Sequence, residues 1–287
     1  MNSLFNDVDV LFFVFVITSY ERKPPQSRHF MTIFPLPAFQ DNYIWILKDA
    51  KSSEIWAVDP GDASVVLQYC REQDVLLKGI LITHHHKDHT GGVAELKHFA
   101  GCPVFGPTHL TELVTHPLTK GDTVTIFSHT FKVLETPGHT LDHLCYFSSQ
   151  ETPILFSGDT LFKGGCGRIM EGNPAQMLDA MTMISALPDH TLIYATHEYT
   201  LANYRFALSL EPNNSELVAE NQRSQKKRHN NEPTLPTSLA LEKNTNPFLR
   251  THIEALKTSA AQQLNESPAN DPVESFRQVR SAKDSFS

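Results

Sequence analysis

Short apolar runs alternate along this chain with amphipathic stretches, and four of the runs stop at a histidine or an aspartate. Gly79-Ile80-Leu81-Ile82 leads into Thr83-His84-His85-His86-Lys87-Asp88-His89 and then Gly91-Gly92. Val133-Leu134-Glu135-Thr136 leads into Pro137-Gly138-His139-Thr140, and Ile154-Leu155-Phe156-Ser157 into Gly158-Asp159-Thr160. Leu192-Ile193-Tyr194-Ala195-Thr196 leads into His197-Glu198-Tyr199. Short apolar, β-branched runs bounded by Gly or Pro read as strands. The stripe Ala63-Val66-Leu67-Cys70 within 63–73, and the stretch 93–99, carry helical spacing instead. Strands alternating with helices predict an α/β fold. Such folds collect chemistry at strand ends, where rigid strands aim side chains and loops leave room for a substrate.

The same patterning divides the chain in three. Val10 to Ile17 is a continuous apolar run, too short to span a bilayer, which takes roughly 20 residues. Asp7 and Asp9 precede it, where a secretory signal carries positive charge, and no small-residue cleavage site follows. Arg22, Lys23, Pro24 and Pro25 then read as a linker. Residues 1–30 are expected to be an N-terminal extension, disordered or an upstream start; a targeting segment is the alternative. Residues 31–203 carry every candidate metal ligand. Residues 204–287 are polar, helix-favouring and interrupted by Pro212, Pro233, Pro236, Pro247 and Pro272. They are expected to form a smaller, mostly helical region packed over the site.

The densest chemistry lies in 83–89. His84, His86 and Asp88 are spaced by two, and in extended backbone alternate side chains point the same way. His89 adds a donor where the chain must turn. Four such ligands in so short a segment are too many for one ion with an open position, and suit two ions that draw the rest of their ligands from elsewhere. His139, Asp159 and His197, at analogous strand ends, are the candidates for that remainder. His85 points away from His84 and His86 and is expected either to support the ligands from behind or to be structural. Gly91 and Gly92 are expected to let the backbone pass close to the metals and to open the helix at 93–99.

Composition narrows the classes further. The chain has 287 residues, a formal net charge of −8 and a pI near 6.0, a balance that argues against broad nucleic-acid binding. The basic run Gln225-Lys226-Lys227-Arg228-His229 is expected to be a solvated helix end. Cys70, Cys102, Cys145 and Cys166 are scattered with no Cys-x-x-Cys, which predicts free thiols and a cytoplasmic setting. Cys70 falls on the apolar stripe and is expected in the core.

Thr-His-His-His-Lys-Asp-His, Thr-Pro-Gly-His-Thr, Ser-Gly-Asp-Thr-Leu-Phe and His-Glu-Tyr-Thr, in this order, resemble the metallo-β-lactamase superfamily. The segments at 39–45, 58–62, Gly164-Gly165-Cys166-Gly167-Arg168 and Arg280-Ser281-Ala282-Lys283-Asp284 narrow the resemblance to the glyoxalase II, or hydroxyacylglutathione hydrolase, family. It covers the chain from about Met31 to the C-terminus. The resemblance implies an αββα sandwich of two mixed sheets, a topology that the sequence pattern alone does not separate from a doubly wound sheet. It implies one divalent ion on His84, His86 and His139, a second on Asp88, His89 and His197, and Asp159 bridging both. Zinc suits this set, as do iron and manganese. Two such ions lower the pKa of bound water to about 7, so a hydroxide oriented by Asp88 can attack a thioester carbonyl. A thiolate, whose parent thiol has a pKa of about 8.5, leaves without a strong acid.

The substrate implied is S-D-lactoylglutathione and related 2-hydroxyacylglutathiones, hydrolysed to glutathione and D-lactate in methylglyoxal detoxification. Arg280 and Lys283, three apart on one helix face, would grip the glycine carboxylate. Arg168 and Tyr199 would line the same groove; Met170 is given no contact. Cys166 should lie nearby without acting as a nucleophile. A monomer with no nucleic-acid or membrane partner is expected. The alternatives are a glutathione persulfide dioxygenase, another hydrolase of the fold, and a non-catalytic metal scaffold. An aspartate at the bridging position speaks against the zinc β-lactamases.

Overall fold

The computed structural model describes residues 31–286, and the expected N-terminal extension lies outside them. The first sheet runs in chain order, β1 (Met31–Ala38), β2 (Asn42–Asp49), β3 (Glu54–Val58), β4 (Leu76–Leu81), β5 (Val104–Pro107) and β6 (His116–Leu118). Its first three strands pair antiparallel and the rest parallel. The second sheet takes β7 (Thr123–Ile126), β8 (His129–Glu135), β9 (Leu144–Ser148) and β10 (Ile154–Gly158). A small hairpin, β11 (Leu161–Phe162) with β12 (Gly165–Cys166), follows. β13 (Leu192–Ala195) and β14 (Thr237–Ser238) complete the second sheet in the order β14-β13-β10-β9-β8-β7.

Period-two patterning explains why the sheets stack. On β2, Tyr43, Trp45 and Leu47 point into the central layer with Phe131, Tyr146, Phe156 and Tyr194 from the second sheet. Ile44 and Ile46 point the other way, into a layer shared with Val66, Leu67, Cys70, Val93 and Leu96. Those side chains belong to the helices α1 (Ala63–Gln73), followed after the short α2 (Lys87–Thr90) by α3 (Val93–Ala100). The outer face of the second sheet, through Cys145, Leu155 and Ile193, packs on α4 (Pro174–Ser185) and α5 (Thr200–Leu210). The inner strands β2, β3 and β10 are therefore covered on both faces and read as nearly unbroken apolar runs, whereas β7 and β8 alternate buried with exposed positions. The layer order is the expected αββα.

The C-terminal region continues with α6 (Ser215–His229), α7 (Leu239–Thr245), a 3₁₀ turn at Pro247–Leu249, α8 (Glu254–Leu264) and α9 (Pro272–Ser285). Because α5 begins at Thr200, the expected division at 203/204 falls inside a helix. The region is also not wholly helical: β14 pairs antiparallel with β13 and extends the second sheet. Lys226 and Lys227 are exposed on α6, but Arg228 is half-buried, its Nη1 4.0 Å from the buried Glu198 carboxylate. Phe276 of α9 is fully buried, its ring 5.7 Å from Phe248. Phe276→Ala is expected to cost about 3–5 kcal/mol. An unchanged denaturation midpoint would mean that α9 is not docked as described. No helix among the described residues is long and apolar enough to cross a membrane.

Candidate metal centre

The loops after β4, β8, β10 and β13 open at one edge of the sandwich, and the two sheets are tied together there. Tyr43 N–H donates to Thr196 O (2.7 Å), Leu144 N–H to Thr83 O (2.8 Å), and Trp45 Nε1–H to Ala195 O (2.9 Å). The ligand loops thus hang from a braced frame.

The alignment expected from extended backbone at 84, 86 and 88 does not occur. His86 is the N-cap of α2, and its carbonyl accepts the N–H groups of His89 and Thr90, both at 3.0 Å. That helical turn takes Asp88 out of line with His84 and His86 and sets His89 beside His84, ring centroids 4.0 Å apart. Two groups result: His84, His86 and His139 in one, and Asp88, His89 and His197 in the other, the ligand atoms within each lying within 4.8 Å of one another. The glycines after α2 make their close approach elsewhere than expected. A Cβ on Gly92 would sit 2.4 Å from Ala63 N, and one on Gly61 would sit 1.9 Å from Asp88 O. They let the ligand loop pack on the β3–α1 turn.

Asp159 lies between the groups. Its Oδ1 is 3.4 Å from both His89 Nε2 and His197 Nε2, and its Oδ2 is 3.4 Å from His139 Nε2. Asp88 Oδ2 is 3.3 Å from His197 Nε2 and takes a hydrogen bond from Asn42 Nδ2 at 3.1 Å. In the other group His86 Nδ1 is 3.0 Å from His84 Nε2 and 3.1 Å from His139 Nε2.

The opposite ring nitrogens are spoken for, which fixes the tautomers. His139 Nδ1–H donates to Arg168 O (2.7 Å), His197 Nδ1–H to Asp41 Oδ1 (2.9 Å) and His89 Nδ1–H to Asp59 Oδ2 (3.0 Å). Thr83 Oγ1 gives its proton to Asp59 Oδ2 (2.7 Å), so His84 Nδ1–H donates to Thr83 Oγ1 (3.1 Å). In each of these four rings Nε2 is left facing the site.

Three imidazole nitrogens converging without enough protons to share are satisfied by a cation. His89 Nε2 and Asp159 Oδ1 are buried with no hydrogen-bond partner, a second sign that an ion completes the site. Electrostatics agree. Burial, then the neighbouring His89, holds His84 well below the ordinary histidine value, so its lone pair is available. Burial pulls His197 down too, but Asp159 and Asp88 together lift the group to about 10. His89 is raised in the same way by Asp159 and Asp59 against its burial. Carboxylates that draw protons onto these rings would draw a divalent cation in their place.

Three residues given no role from sequence support the ligands. Asp59 accepts from Thr83 N (2.7 Å), Thr83 Oγ1, His89 Nδ1 and Thr196 Oγ1 (3.3 Å). Asp41 orients His197. His143 Nε2 accepts from Asp159 N (3.0 Å), and its ring stacks on His84 at 4.9 Å. Asp59 follows β3 as Asp159 follows β10, so the strand-end pattern carried the signal for it. His85 stays outside both groups, as expected, 2.9 Å from Asp142 and 3.2 Å from Glu171.

A cleft of about 500 Å³ opens on His139 and Asp159 and reaches Arg168, Tyr199, Arg280 and Lys283. Tyr199 stacks parallel on His197, centroids 4.6 Å apart. Arg280 is buried: Nη1 donates to Cys166 O (3.0 Å) and Nη2 to Asp284 (2.8 Å), while Nε has no partner. Lys283 Nζ lies 3.3 Å from Ala202 O and over the Phe206 ring. Arg168 extends into solvent, 3.8 Å from Asp284. Burial pushes the Cys166 thiol up to about 11, so it stays protonated. Cys70 is buried in the core, and all four cysteines are free.

Comparison with known proteins places this arrangement in a lineage. Residues 59–197 match the family model of the metallo-beta-lactamase superfamily, and residues 198–286 that described as the hydroxyacylglutathione hydrolase C-terminus. The hydroxyacylglutathione hydrolase of Marinomonas sp. (strain MWYL1) is 71% identical over 257 residues, covering 90% of this chain and 100% of that protein. That of Shewanella halifaxensis (strain HAW-EB4) is 44% identical over 261 residues, covering 89% and 100%. Among solved structures, ETHE1 from Myxococcus xanthus superposes with a TM-score of 0.60 at 23% identity, over 88% of this chain and 99% of that one; it supports the fold alone. With both parts of the chain matched and relatives covered along their whole length, the chain belongs to the hydroxyacylglutathione hydrolase family of the metallo-beta-lactamase superfamily.

Proposed function

We propose that the protein hydrolyses S-D-lactoylglutathione and related 2-hydroxyacylglutathiones to glutathione and D-lactate. The observation that carries this reading is Asp159, whose two carboxylate oxygens face opposite histidine groups. His84, His86 and His139 would hold one divalent ion, and Asp88, His89 and His197 the other, with Asp159 shared. We take the ions to be zinc. When bound, such a pair supplies acidified water and a polarised carbonyl. Asp88, fixed through Asn42, orients the attacking water. Asp59, Asp41 and the Arg168 carbonyl keep the imidazoles in their ligating tautomers. The leaving thiolate needs no strong acid, and the protonated Cys166 does not compete as a nucleophile.

The cleft supports the substrate assignment. Lys283 and Arg168 offer positive charge to the glycine carboxylate of glutathione. Arg280 braces the β11–β12 hairpin through Cys166 and leaves Nε–H for the ligand. Tyr199 lines the wall beside His197. The four buried free thiols support a cytoplasmic setting.

Lys283→Ala is expected to raise KM with little change in kcat, the pattern of lost ground-state binding. An unchanged KM would show that the grip is misassigned. Burial, then Arg280, holds the Lys283 ammonium below its ordinary value. Carboxylate binding needs the charged form. KM should therefore climb as pH rises toward that lowered value, sooner than for a free lysine at about 10.4. The climb should vanish in Lys283→Ala; a climb that persists there would assign it to another group.

A further inference from the structure

Beside the ligand loop lies a separate cleft of about 700 Å³ whose lining includes His85, His109, Leu141, Asp142 and Glu171. We propose that His85, Asp142 and His109 form a further binding site for a divalent transition-metal ion, distinct from the centre that holds Asp159.

Geometry and satisfaction both point there. The three side chains offer ligand atoms that all lie within 4.8 Å of one another. Asp142 Oδ1 is 2.9 Å from His85 Nδ1, and Asp142 Oδ2 is 3.3 Å from His109 Nε2. The Asp142 side chain is only 10% exposed, yet its Oδ2 is buried with no hydrogen-bond partner. His109 approaches that oxygen without aiming an N–H at it. An unpaired carboxylate oxygen at this depth is costly unless a cation neutralises it.

Glu171 supplies the third argument. Its Oε1 is 3.2 Å from His85 Nε2, and its Oε2 accepts Leu141 N–H at 2.9 Å. A neutral His85 carries one proton for two carboxylates: Nδ1 hydrogen-bonds to Asp142 Oδ1, and an ion taking the Nδ1 position would shift that proton to Nε2, facing Glu171. A carboxylate behind a histidine, with a cation in front, is the usual arrangement of a metal-bound imidazole.

Two imidazoles and one carboxylate, with a fourth position open to the cleft, match a three-ligand zinc site. Cobalt, nickel and copper suit the same donors. His109 lies half-exposed at the rim, with its side chain 52% accessible, so an ion can enter without disturbing the sandwich. None of the three residues belongs to the seven ligands assigned above, so the site stands or falls independently of the proposed reaction.

The test is zinc uptake by purified metal-loaded protein, followed by equilibrium dialysis and metal analysis. Wild type should take up one zinc per chain more than His109→Ala, whatever metal complement each carries when purified. His109→Ala should keep its original complement and its turnover. Asp142→Asn should lose the same equivalent, and Glu171→Gln should weaken it about 10- to 100-fold. Cobalt at this site in the wild type should add visible d–d absorption that His109→Ala lacks. The proposal is overturned if wild type takes up no zinc beyond its purified complement, or if His109→Ala takes up as much as wild type.

Discussion

Asp159→Ala should lose both metal and turnover, the latter by more than the roughly 10- to 100-fold that marks loss of a ligand's supporting partner. The carboxylate faces both histidine clusters, with contacts of 3.4 Å on each side. Burial opposes its charge, yet His89 and His197 hold it well below the usual carboxylate range. It therefore stays anionic wherever the enzyme works. Alanine removes a ligand from each cluster at once and leaves the positive tendency of His89 and His197 uncompensated. Elemental analysis and the thioester assay should fall together. A variant with full metal content and ordinary turnover would remove Asp159 from the centre.

The second large effect belongs to a residue that binds no metal. Asp59→Asn should reduce metal affinity about 10- to 100-fold while leaving the ligand residues intact. Asp59 sits at φ 51°, a backbone region that asparagine shares with aspartate, so the backbone is not what changes. The carboxylate does change. Three donors converge on Oδ2: Thr83 Oγ1, His89 Nδ1 and Thr196 Oγ1, while Thr83 N–H takes Oδ1. An amide turns one of these oxygens into a donor, and each buried donor left facing it costs about 1–3 kcal/mol. His89 would lose its fixed tautomer and Thr83 its anchor beside His84. Competition with a chelator of known affinity measures the effect, and an affinity equal to wild type would contradict it.

These two residues also mark what the sequence does and does not disclose. Asp159 was visible because an apolar run ends at it, and the same rule placed His139 and His197. The rule works because a strand end is a fixed direction in space. Asp59 ends a run in the same way, but a carboxylate that serves another side chain leaves no chemical signature of its own. His143 is still less legible: its role lies in a hydrogen bond from the Asp159 backbone and a stack on His84, both set by tertiary packing. The spacing of His84, His86 and Asp88 was visible, but the backbone geometry was not. A period of two assumes extended chain, and the hydrogen bonds onto the His86 carbonyl curl Asp88 and His89 into a helical turn. That curl is what sorts the loop into two groups.

The fold divides similarly. Apolar runs ending at Gly or Pro signalled the strands, and the helical stripes between them an α/β fold. Whether one wound sheet or two stacked sheets did the burying depends on pairings between distant strands, which no local pattern encodes. β14 shows the limit: two residues, Thr237 and Ser238, extend the second sheet from within a stretch that reads as helical and proline-broken. On the substrate side, the spacing of Arg280 and Lys283 on one helix was legible. That Arg280 is spent largely on Cys166 and Asp284, and that Lys283 is the more available charge, emerged only from packing.

The central claim is that two ions held by seven residues of this chain hydrolyse a glutathione thioester. The most direct measurement is the loss of thioester ultraviolet absorbance when metal-loaded protein meets S-D-lactoylglutathione. A catalytic decay is expected that yields one glutathione and one D-lactate per thioester consumed, and that stops in Asp159→Ala. No decay with that substrate, alongside oxygen uptake with glutathione persulfide, would contradict it and assign the same fold to an oxidative reaction.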